Sequence, residues 1–316
     1  MRPTGSCCVT GANGFIGGAV MNRMQTMGRS VIGAVRYPGN AHGCISAPSL
    51  GAGGAWTPLL DGAEVVIHAA ARVHVMKDEA RDPLSAFREV NVDGTLNLAR
   101  QAVARGVRRF VYISSIKVNG EATLPGRPFC ADDIPAPVDA YAISKAEAEA
   151  GLMALAEETG LEVVIIRPPL VYGPGVKANF LGMMQWLQRG VPLPLGAADH
   201  NRRSLVALDN LVDLIVTCVD HPAAANQTFL VSDGEDLSTA DLLRRLAAAM
   251  DVRARLLPVP VPVLEAAAAL VGKRALMQRL CGSLQVDITK TREVLGWRLR
   301  IDVDEGLRRA AAGFNG

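Results

Sequence analysis

Short apolar runs alternate with amphipathic stretches over the first two thirds of the chain. Residues 7–10, 31–35, 65–68, 110–113 and 163–166 are too short and too rich in β-branched side chains to be preferred as helices, so they read as buried strands. Helical periodicity fills the intervals. Such alternation predicts an α/β fold of Rossmann type, a doubly wound parallel sheet with helices on both faces. After Arg167 the texture changes. Pro168-Pro169, Gly173-Pro174-Gly175 and the Pro- and Gly-punctuated stretch 191–196 are loop chemistry, and a smaller discontinuous C-terminal domain is expected to begin there. A further strand pair, 204–207 and 228–231, with helical residues 210–219 between, reads as a return to the main sheet. The predicted partition is therefore 1–172 with 204–233, against 173–203 with 234–316.

Composition narrows the class without naming a partner. The 316 residues are 49% hydrophobic and 20% charged, enough for a large core. Lys and Arg number 33 against 31 Asp and Glu, a net charge of +2 that argues against a nucleic-acid-binding surface or a polybasic membrane anchor. Six cysteines without metal-ligand spacing read as reduced thiols of a cytoplasmic protein, and no metal site is expected. No export signal or membrane span is legible; the most apolar late stretch, 259–271, carries two prolines and Glu265.

Two patterns carry chemistry. Between the first strand and the first helix lies Thr10-Gly11-Ala12-Asn13-Gly14-Phe15-Ile16-Gly17. Glycines at this turn allow a tight bend, close approach of a pyrophosphate to the helix N-terminus and close helix–strand packing. An NAD-preferring site usually has an acid roughly 20 residues further on. Here no Asp or Glu precedes Asp61, and the end of the second strand reads Ala34-Val35-Arg36-Tyr37. A guanidinium there can pair with a 2′-phosphate and lie over the adenine, so NADP(H) is favoured, with NAD(H) the alternative. The second pattern is Tyr141 and Lys145, four residues apart at the start of a helix and on one face of it. A phenol beside an ammonium is expected to be a better acid, able to exchange a proton with an oxygen.

With Gly11, Gly14 and Gly17, Ser115, Tyr141, Lys145 and the run Arg167-Pro-Pro-Leu-Val-Tyr-Gly-Pro174 in this order, the chain resembles the extended short-chain dehydrogenase/reductases, the nucleotide-sugar epimerase group. The resemblance spans essentially its whole length. The stretches Tyr112-Ile-Ser-Ser-Ile-Lys-Val-Asn-Gly-Glu121 and Asn201-Arg-Arg-Ser-Leu-Val-Ala-Leu-Asp-Asn-Leu211 look most like bacterial reductases of UDP-4-keto-6-deoxy-N-acetylglucosamine, which serve surface polysaccharide synthesis. By that resemblance Ser115 hydrogen-bonds the reacting oxygen, Tyr141 exchanges the proton, and Lys145 grips the nicotinamide ribose while tuning Tyr141. It also implies cofactor contacts from Gly11, Asn13, Gly14, Phe15, Ile16, Gly17, Ala69, Ala70, Ala71, Pro168 and Val171, beside Arg36 as read above, and from Asn91, whose plain alternative is helix packing. Ser114 alternates to the other side of the strand end and reads as structural first, as a cofactor contact second. On the substrate side the resemblance implies Asn179 and Arg203 at the nucleotide diphosphate, with Lys117 and Arg279 as weaker candidates whose plain alternative is solvated charge. A UDP-sugar partner and a homodimer are what the family implies.

The residues after Ser115 separate the reactions of the scaffold. Dehydratases of the family carry an Asp-Glu pair there; this chain has Ile116 and Lys117, so dehydration is set aside. A 4-ketoreductase consuming NADPH is expected, with a UDP-hexose or UDP-N-acetylhexosamine 4-epimerase holding NAD as the alternative. A non-catalytic NADP sensor would not need Ser115, Tyr141 and Lys145 together.

Overall fold

The computed structural model describes residues 6–38, 43–73, 82–124 and 126–315. Ten strands occur among them: β1 (Ser6–Thr10), β2 (Val31–Val35), β3 (Cys44–Ser46), β4 (Ala63–His68), β5 (Arg109–Ile113), β6 (Glu162–Arg167), β7 (Leu170–Tyr172), β8 (Arg203–Ala207), β9 (Gln227–Leu230) and β10 (Asp236–Leu237). Seven form one parallel sheet in the order β3-β2-β1-β4-β5-β6-β9. Helices cover both faces, so the strands are nearly continuous apolar runs; all of β5 is buried. Sheet order reverses direction between β1 and β4. Open α/β sheets bind ligands at the carboxyl ends of the strands beside such a switch point.

The 204–207 run does not return to the main sheet. As part of β8 it pairs with β7 in parallel and with β10 antiparallel, in a separate three-stranded sheet; only β9 joins the large one, beside β6. Apolar periodicity reports that a segment is a strand and leaves its partner unspecified. Pro168 and Pro169 supply the reason for the second sheet. Without N–H groups they cannot extend the β6 ladder, so the chain leaves the main sheet and β7 starts elsewhere.

A second apolar core gathers Tyr172, Phe180, Met184, Leu243, Leu246 and Leu307 from β7 and from the helices Ala178–Gln188, Thr239–Ala249 and Val303–Asn315. It is joined to the large sheet's side through buried Asp233, which accepts from the Tyr172 hydroxyl (2.8 Å), the Ala207 amide (2.8 Å) and the Asn210 side chain (2.7 Å). All six cysteines are unbridged. No helix among the described residues is long and apolar enough to cross a membrane.

Candidate active site

Gly11 ends β1 with φ +67°, a left-handed conformation that favours glycine. A Cβ at Gly11 would lie 2.9 Å from the Ala70 amide nitrogen, and one at Gly17 only 2.2 Å from the Gly11 carbonyl oxygen. The turn is thus closed against both the helix Phe15–Thr26 and the end of β4. Gly14 caps that helix without a side-chain bond, and its first turn holds no acid. The first amides and the positive end of the dipole are therefore directed at the switch point, which suits a pyrophosphate. Asn13 and Gly14 are exposed on this turn, Phe15 and Ile16 are half-buried, and Gly17 is buried. Ala69, Ala70 and Ala71 follow β4 half-buried, with the Ala70 amide donating to the Thr10 hydroxyl (3.2 Å). Arg36 stands exposed one residue beyond β2.

The helix Ala140–Thr159 carries Tyr141 and Lys145. Asp139 starts it by accepting from the Ala142 amide (2.7 Å), and Gly160 ends it at φ +77°. Ser115 follows β5, accepts from the Lys117 amide (3.3 Å), and hydrogen-bonds the Tyr141 phenol. These two hydroxyls are brought together, as the family resemblance implies.

The electrostatics differ from the sequence expectation. Burial pushes the Tyr141 phenol up to about 12, with Asp139 adding to the rise and Ser115 opposing it. The Lys145 ammonium lies instead over the Tyr112 ring, 4.4 Å from its centroid, and donates to the Ile113 carbonyl (2.8 Å). Burial lowers Lys145 to about 7, against the pull of Glu149. Desolvation outweighs helical proximity, and the phenol stays firmly in its acid form.

Several candidates have their side chains committed within the protein. Ser114 donates to Glu149, which also receives a two-armed salt bridge from Arg167, the shortest arm being 2.6 Å. Arg167 further donates to Asn119 (3.0 Å), and Asn119 to the Cys130 carbonyl (2.8 Å). Asn91, 1% exposed, exchanges hydrogen bonds with both the amide and the carbonyl of Arg72 (2.8 and 3.0 Å) and donates to the Ser144 hydroxyl (3.0 Å). It thereby fixes the loop after β4 against the Tyr141 helix. Pro168 accepts from the Ile116 amide (3.0 Å), tying the chain after β6 to the Ser115 turn, while Val171 lies half-buried in β7.

The proposed substrate residues stand on separate elements. Lys117 pairs with Asp139 and, at 3.7 Å, with Glu121. Asn179 is exposed in the first turn of the helix Ala178–Gln188, and Arg279 is exposed on the helix Arg274–Cys281. Arg203 donates to the Gly282 carbonyl (3.0 Å), and burial lowers its pKa. Among the described residues that bond uses one of its five N–H donors, which leaves others for an anion.

Sequence reading missed Glu149. It lies one turn beyond Lys145 on the same helix face, and an acid at that spacing was the available signal. It also missed Asp139 and the Arg72–Phe87 pair: the Arg72 guanidinium sits 5.5 Å from the Phe87 centroid, and Phe87 meets Tyr141 edge-on at 6.0 Å.

Known proteins share this architecture. The family model for the NAD dependent epimerase/dehydratase family matches residues 7–232. A Vibrio cholerae protein named UDP-glucose 4-epimerase is 48% identical over 312 residues, covering 98% of this chain and 95% of its own. The crystal structure of a UDP-glucose 4-epimerase from Thermotoga maritima with UDP-glucose superposes at TM-score 0.77 with 22% identity, covering 98% of both chains. The RMD protein of Pseudomonas aeruginosa, complexed with NADPH, superposes at 0.76 with 22% identity over 98% of this chain and 99% of its own. With a glycine cradle at the sheet's switch point, a Ser–Tyr–Lys cluster beside it and a family match over most of its length, the chain belongs to the NAD dependent epimerase/dehydratase family and is an NAD(P)-dependent enzyme.

Proposed function

We propose that the protein reduces a UDP-linked 4-keto-6-deoxy-N-acetylhexosamine with NADPH. The observation that carries this reading is the end of β2, where Arg36 is exposed and no carboxylate occurs anywhere in the first sixty residues. A dianionic 2′-phosphate is attracted to that position, whereas the ribose-binding acid typical of an NAD site is missing. The bound dinucleotide would supply the hydride. Gly11, Gly14 and Gly17 leave room for its backbone, and Lys145 is assigned to its nicotinamide ribose. Ser115 would hold the ketone oxygen and Tyr141 would hand it a proton as charge develops. The buried, protonated phenol is the form a reductase starts from. Asn179 and Arg203 are assigned to the diphosphate, with Lys117 and Arg279 as secondary contacts. The split into 1–172 with 204–233 and 173–203 with 234–316 and a homodimeric state go with the same reading, although β8 stands in the smaller sheet.

A second reading, a UDP-hexose or UDP-N-acetylhexosamine 4-epimerase with retained NAD, is favoured by the 48%-identical Vibrio cholerae relative. Cofactor released from denatured protein, together with NADPH consumption on a UDP-4-keto sugar, separates the two. Stoichiometric NAD with no NADPH consumption selects the epimerase.

Arg36→Ala is expected to weaken NADPH binding by about tenfold or more while changing NADH little, the loss of a charge-assisted phosphate contact worth roughly 1.5–3 kcal/mol. Equal losses for the two cofactors in titration would remove Arg36 from this role.

A further inference from the structure

Lys145 must keep its ammonium to hold a polar ligand, yet it is 2% exposed and burial favours loss of its proton. Among the described residues, the charged and titratable groups that face it are few. Glu149 stands one turn along the same helix, with its carboxylate shared between Ser114 and Arg167 of β6. Tyr141 precedes it by one turn. His68 faces it from β4 and Tyr112 from β5. His68 adds no repelling charge: desolvation, with Lys145 second, lowers its pKa to about 3, so it is a neutral imidazole. What remains beneath the ammonium is the face of Tyr112.

That ring is fully buried and held in place. His68 and Tyr112 are direct partners in the β4–β5 register, so they stand side by side on one face of the sheet. Their rings are nearly parallel, at an interplanar angle of 20° and a centroid separation of 5.8 Å. His68 is pinned at both nitrogens, Nδ1 to the Thr10 hydroxyl (2.6 Å) and Nε2 to the Thr95 hydroxyl (3.0 Å). The imidazole can neither turn nor withdraw, and it restricts the phenol ring beside it.

We propose that Tyr112 is a positioning residue for Lys145: its ring face, braced by the Thr10–His68–Thr95 chain, seats the ammonium against the Ile113 carbonyl and keeps it charged. A desolvated cation over a π face is attracted by the ring's negative quadrupole, and here water does not compete. The proposal rests on Lys145 serving the cofactor site only for its functional consequence; its physical content concerns the Lys145 proton itself.

The test separates ring shape from ring charge. Phenylalanine and pentafluorophenylalanine installed at position 112 have similar outlines, but fluorination reverses the sign of the face. The chain has only six lysines, so the ¹³Cε signal of Lys145 can be followed by NMR in labelled protein and assigned with Lys145→Arg. Tyr112→Phe should leave the Lys145 titration midpoint near that of the parent. The pentafluoro variant should lower it by ~1 pH unit, the size expected for a desolvated cation–π contact. Coincident midpoints for the two rings would overturn the proposal. The pH dependence of reduced-cofactor affinity should move with the midpoint. A shifted midpoint with unmoved affinity would support the Tyr112–Lys145 seating and withdraw Lys145 from the cofactor.

Discussion

Replacing Tyr141 by Phe is expected to lower kcat by ~10²–10⁴ while leaving cofactor affinity close to that of the parent. The ring still packs edge-on against Phe87, and only the hydroxyl bonded to Ser115 is removed. That pattern is the signature of a group acting in the transition state. Single-turnover kinetics with NADPH and a UDP-4-keto sugar give the measurement; turnover within a few-fold of the parent would dismiss Tyr141 as the proton donor. Because burial holds the phenol near 12, its ionisation should impose no fall in reduction rate through neutral and mildly alkaline pH. A limb in that range belongs to another group, and Lys145, lowered to about 7, is the first to test.

Glu149→Ala should cost about 3–5 kcal/mol of stability, the usual penalty for leaving one member of a buried ion pair alone. Glu149 and Arg167 are only 5% and 6% exposed at their side chains, so solvent cannot replace the missing carboxylate. The damage extends past Arg167. Ser114 loses its acceptor just after β5, and Lys145 loses a nearby charge that favours its protonation. Urea unfolding measures the loss, and replacing both partners by Met should recover a good part of it, since well-packed apolar residues often match such a pair. A Glu149→Ala protein as stable as its parent would mean that the pair contributes nothing net.

Much of the core was legible because local rules and tertiary demands agree there. The strands at 31–35, 110–113 and 163–166 lie inside β2, β5 and β6, since a short β-branched run buried on both faces has few other stable arrangements. The glycine turn was legible for a steric reason: a Cβ at Gly11 or Gly17 meets backbone at under 3 Å. The three-residue β3 gave too short a signal. Similar apolar strings at 204–207 and 228–231 went to different sheets, because partner choice depends on where Pro168 and Pro169 release the chain.

By itself the amino-acid order determined the doubly wound fold, the glycine turn after the first strand and the one-turn spacing of Tyr141 and Lys145, all consequences of spacing and local geometry, while Ser115 entered through the family resemblance. Only the tertiary structure decided what surrounds these groups. It placed Lys145 over Tyr112, committed Ser114 to Glu149 and Asn91 to Arg72, and made burial the dominant influence on the Tyr141 proton. The physical reason is that desolvation and buried pairing depend on neighbours up to fifty or more residues away, such as His68 and Lys145, whose approach no local periodicity records.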